Sequence, residues 1–137
     1  MKAPPVGASA HITRTVDDAM IASFAALSGD TNPMHLSRDF ASRTRYRRPV
    51  AHGILTASLI STVIGTRLPG PGCIWVSQTL NFRRPVFSGD TITTTATVTD
   101  IDEQRPFVTL STQCANQRGE CVLDGEAVVL LEELAAP

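Results

Sequence analysis

A chain of 137 residues, 42% apolar and 18% charged, is long enough to bury one core and too short for two ordinary ones, so residues 1–137 are read as a single globular domain. A formal net charge of −1 excludes a general nucleic-acid binder, whose phosphate contacts need a clear basic excess. No apolar run approaches the roughly 20 residues that cross a bilayer, MKAPPVGASAH lacks the apolar centre of a signal peptide, and three cysteines without a CxxC fit a reducing cytoplasm.

His11–Val16 (HITRTV) predicts a short strand. Residues 17–28 carry Met20, Ile21, Phe24, Ala25 and Leu27 near helical spacing, with Asp17 and Asp18 at the positive end and Gly29 placed to stop the helix. The run SGDTNPMHL at 28–36 follows. Its Thr31, Asn32 and Pro33 predict a polar stretch held out of helix, ahead of a short helix over Ser37–Arg43 capped by Ser37.

PVAHGILTASLISTVIGTRLPG, residues 49–70, is the most apolar segment. Val50, Ile54, Leu55, Leu59, Ile60, Val63 and Ile64 cover most of a helix surface, which predicts a helix buried on nearly all sides, with Pro49 just before its start. Beyond Gly70 the period becomes two. Ile74, Val76, Leu80 and Phe82 alternate with polar neighbours, as do Ile92, Ala96 and Val98 with threonines. Phe107–Ala115 and Cys121–Leu131 predict two further strands joined by a hairpin at 116–119. An α+β arrangement, antiparallel sheet wrapped around the central helix, buries every side of that helix.

Asp30 and His35 are a carboxylate and an imidazole five residues apart. Turn chemistry alone accounts for both, Asp30 through an Asx-turn and His35 as a loop donor. A second arrangement gives them chemistry. His52-Gly53 opens the apolar helix, where main-chain N–H groups lack partners and the dipole is positive. Gly53 has no side chain to obstruct a ligand, so its N–H fits a donor to an oxygen on which charge develops. Carboxylate, imidazole and open helix end are what water addition to a carbonyl-conjugated double bond requires.

SGDTNPMHLSRDFA, RPVAHGILTASLIS and NFRRPVFSGD together resemble the MaoC-like (R)-specific enoyl-CoA hydratases. The family signature, Ser/Thr-Gly-Asp-x-Asn-Pro-aliphatic-His, five residues, then Ala or Ser, is matched by Ser28 to His35 with Ala41 in the last place; Met34 is the single departure. The resemblance implies a hot-dog fold and a homodimer with sheets joined edge to edge. It implies reversible syn addition of water to trans-2-enoyl-CoA, giving (R)-3-hydroxyacyl-CoA. Asp30 and His35 would be the catalytic pair, Gly53 the donor polarising the thioester, and Ser61 and Asn32 supporting residues. Coenzyme A belongs to the substrate, and neither a separate cofactor nor a metal is expected.

Ser61 has a plain alternative as a helix serine bonding to its i−4 carbonyl. His52, Arg83 and Arg84 are candidate substrate contacts, the arginines for the phosphates of coenzyme A together with the cluster at 43–48. Two other functions fit the same fold: an acyl-CoA thioesterase, and a non-catalytic acyl-CoA-binding subunit. The length leaves no room for a second repeat or a large overhang, which favours short to medium acyl chains.

Overall fold

The computed structural model describes residues 2–133 and 135–137. Strand β1 (Ser9–Thr15) leads into helix α1 (Asp18–Ser28) and two short helices, α2 (Pro33–Leu36) and α3 (Arg38–Ser42). Then come the central helix α4 (Gly53–Thr66) and strands β2 (Cys73–Gln78), β3 (Asn81–Phe82), β4 (Thr91–Ile101), β5 (Phe107–Ala115) and β6 (Cys121–Leu131). The sheet is antiparallel in the order β1-β4-β5-β6-β2, with β3 also paired to β6.

Local chemistry accounts for the elements. Asp17 accepts a hydrogen bond from the Met20 N–H at 2.9 Å and caps α1, which Gly29 ends in the left-handed region at φ 79°. In β4 the alternation of threonine with Ile92, Ala96 and Val98 sends one face inward and one outward. Val108, Leu110, Val122, Leu123 and Val129 continue that buried face and meet Leu59, Ile60, Val63 and Ile64 of α4. Each such fully buried aliphatic side chain contributes about 1.5–3 kcal/mol.

Three expectations change. The apolar helix begins at Gly53, not beside Pro49, because the preceding main chain is committed elsewhere. The Val50 N–H donates to Met34 O at 3.1 Å and the Ala51 N–H to Val86 O at 2.7 Å. Nor is α4 buried all round: Ile54 is 55% exposed, and with Ser58, Ser61, Thr62 and Gly65 it forms an open face. Finally, the alternating stretch from Ile74 to Phe82 is two strands. Thr79 crosses β6 between them, its N–H donating to Glu126 O and its Oγ1 accepting from the Glu126 N–H, both at 2.9 Å. Ile74, Val76 and Phe82 consequently do not enter the core of the chain but stand exposed.

Among the described residues no helix is long and apolar enough to cross a membrane.

Candidate active site

The opening run builds the site by turn chemistry. Asp30 Oδ1 accepts from the Asn32 N–H at 3.1 Å, an Asx-turn, and Asn32 Oδ1 accepts from the Met34 N–H at 3.0 Å. Asn32 thereby caps α2, with Pro33 at the first helical position. This corrects the expectation of a stretch held out of helix. Gly29 already ends α1, and Asn32 and Pro33 instead start a new turn whose third residue is His35.

That turn aims His35 at Asp30. His35 Nε2 lies 3.8 Å from Asp30 Oδ2, with the imidazole largely covered and the carboxylate half exposed. The separation is too long for a direct hydrogen bond and suits two groups sharing one water. His35 Nδ1 meets Val50 O at 2.6 Å. Since a carbonyl only accepts, Nδ1 carries a proton and Nε2 is the atom facing Asp30. Neutral, Nε2 offers a lone pair toward that gap; protonated, it offers a hydrogen.

The helix end is tied to the pair through the residue before it, His52, whose ring stacks on His35. No backbone acceptor takes the Gly53 or the Ile54 N–H among the described residues. Gly53 lines a cavity of about 590 Å³ together with Val50, Ala51, Ile54, Thr56 and Phe82. A Cβ on Gly53 would lie 2.6 Å from the Phe82 ring, so the bare backbone lets this ring close over the helix end. That contact escapes sequence reasoning.

The remaining candidates fall in three places. His52 is 2% exposed and absent from the cavity lining; it reaches Asp30 O through Nε2 at 2.9 Å and stacks on His35 with centroids 3.8 Å apart. Asp30 and His35 are likewise absent from that lining, so burial alone sets His52 apart: His35 is partly exposed and Asp30 is exposed. Arg83 and Arg84 do line the cavity, but they hold Asp124 at 3.1 Å and Glu120 at 3.3 Å. The hydrogen bond from Arg83 holds the Asp124 carboxyl below the usual range, and one from Arg118 does the same for Glu120. Arg45 lines the same cavity with no carboxylate partner among the described residues. Ser61 is exposed on α4, about 12 Å along the helix axis from Gly53, and the structure does not join it to the pair within one chain.

Asp30, His35 and His52 present possible ligand atoms within 4.8 Å of one another. Imidazole lone pairs lie in the ring plane, and two rings stacked at 28° cannot converge on one ion 2 Å from both. The cluster fits proton transfer and does not fit a metal.

Residues 3–116 match the family described as MaoC like domain. An (R)-specific enoyl-CoA hydratase of Rhodospirillum rubrum is 47% identical over 125 residues, which cover 91% of this chain and 86% of that one. One of the same description from Aeromonas caviae is 45% identical over 126 residues, covering 92% and 94%. Among solved structures, an (R)-hydratase from A. caviae involved in PHA biosynthesis superposes with a TM-score of 0.92 at 44% identity, covering 96% of this chain and 99% of that one. An unliganded R-hydratase of Pseudomonas aeruginosa gives 0.89 at 38% identity, covering 98% and 90%.

Proposed function

Because the chain belongs to the MaoC-like domain family, we propose that it is an (R)-specific enoyl-CoA hydratase, adding water reversibly and syn across the double bond of trans-2-enoyl-CoA. The observation that carries the reading is the pair itself: Asp30 Oδ2 and His35 Nε2 face each other across 3.8 Å, beside a helix end whose first N–H groups are open. The thioester oxygen accepts from the Gly53 N–H, which stabilises the charge that develops as C2 becomes nucleophilic. Asp30 and His35 hold one water between them. One takes its proton as the oxygen bonds to C3, and the other delivers a proton to C2 on the same face. Syn addition follows when both groups act from one side of the acyl plane.

The cavity against Gly53 takes the thioester end, and Arg45, which lines it without a carboxylate partner among the described residues, serves the phosphates of coenzyme A. Enclosure by Phe82, Val122 and Leu123 favours short to medium chains. The exposed Ile74, Trp75 and Val76 of β2 support a homodimer joined along that edge. Three free cysteines support a reducing cytoplasmic setting.

The test is incubation with crotonyl-CoA, following the conjugated-thioester absorbance and free thiol together, with chiral analysis of the product. Loss of absorbance without thiol and an (R)-3-hydroxy product are expected. Stoichiometric thiol would make the protein a thioesterase, and an (S) product would overturn the mechanism.

A further inference from the structure

His52 occupies the N-cap of α4, where Ser, Thr, Asp and Asn are preferred because they turn back on the helix N–H groups. Its side chain makes no such bond. It is directed away from the helix it begins, toward both groups of the pair. Nε2 lies 2.9 Å from the main-chain oxygen of Asp30, so Nε2 carries a proton and donates. The ring face lies against His35 at 3.8 Å and 28°, and Phe24 packs against it at 4.9 Å. Nδ1 is buried and has no hydrogen-bond partner among the described residues. The Nε2–H tautomer leaves only a lone pair unmet there, whereas a second proton would be an unmet buried donor.

An unsatisfied buried nitrogen and a forfeited cap are both unfavourable, and local rules are broken in this way mainly where function gains. On the hydratase reading, we propose that His52 is a positioning residue for the reaction. Its Nε2–H fixes the main chain of Asp30 while its ring face fixes the plane of His35, and together these set the width of the gap that holds the water. His52 touches neither water nor acyl chain. It acts on the geometry of the two residues that do.

The test is a set of substitutions that separate donor from ring. His52→Gln keeps a donor where Nε2 stood, His52→Asn places one where Nδ1 stood, and His52→Phe keeps the ring and loses the donor. Steady-state kinetics with crotonyl-CoA are expected to show kcat lowered about 10- to 100-fold in His52→Phe and His52→Asn, with KM within about twofold. In His52→Gln most of that loss is regained. Equal losses in all three, a loss confined to KM, or wild-type kcat in His52→Phe would each overturn the assignment. Thermal unfolding accompanies each assay. If His52→Phe does not fold, the Gln and Asn pair decides; if none folds, His52 is structural and the assignment falls. A wild-type protein that hydrates nothing would defeat the hydratase reading itself, a different outcome.

Discussion

Asp30 does two things with its two oxygens, and this makes its substitution informative. Oδ1 closes the Asx-turn on Asn32 while Oδ2 faces His35. Asp30→Asn retains an oxygen for the turn and loses the charge, so hydration is expected to fall at least 100-fold with the unfolding midpoint nearly unchanged. His35→Ala should cost a similar factor in kcat and, by removing the bond to Val50 O, about 1 kcal/mol of stability. Turnover that survives both changes would remove Asp30 and His35 from the chemistry. Cys114 bears on stability. Burial pushes its thiol from 9.0 up to about 11. The folded chain therefore holds this proton more tightly than the unfolded chain does. The contribution of this thiol is full below pH 9 and declines as pH rises toward 11, by at most about 3 kcal/mol. Denaturant melts at pH 8 and 10.5 should show a decline that is shallower in Cys114→Ala.

Among the elements, the passage of Thr79 over β6 is the tightest fit. A Cβ on Gly125 would lie 1.8 Å from Thr79 O, which is backbone and cannot swing aside. Gly125→Ala should lower stability by more than 3 kcal/mol or prevent folding, read as the fall in unfolding midpoint. A midpoint within 2 °C of wild type would refute the close crossing. This contact also shows where sequence stops being legible. The helix around Leu59, Ile60, Val63 and Ile64 and the β4–β5–β6 hairpins are visible in it, because period and turn residues are local properties. So were the cap Ser37, which α3 uses as expected, and the facing of Asp30 and His35, 3.8 Å apart. The split of β2 from β3 was hidden, because it depends on a distant glycine. The start of α4 was hidden likewise, its N-terminal main chain being engaged by Met34 O and Val86 O. The stacking of His52 on His35, across 17 positions, leaves no periodic trace in the sequence.

For the whole molecule, the outer edge of β2, which is paired only to β6, and the open face of α4 lie on surfaces that a lone chain leaves apolar. Ile54, Ile74 and Val76 are each about half exposed. Light scattering should report twice the 14.7 kDa chain mass, and Val76→Lys, a charge on the edge strand, should shift the protein toward the single-chain mass. A wild-type monomer with full hydratase turnover would overturn the edge-to-edge pairing.

The open N–H groups of Gly53 and Ile54 have a consequence for the stability of the enzyme in use. Other helices here are closed by the chain's own side chains, α1 by Asp17 and α3 by Ser37. The head of α4 has no such closure, and on the proposed chemistry an acyl thioester oxygen completes it. Substrate is then a folding ligand as well as a reactant. At a hundredfold excess over Kd it would add about 2.7 kcal/mol to the unfolding free energy. Protein working in a cell rich in its thioester would outlast the same protein starved of it.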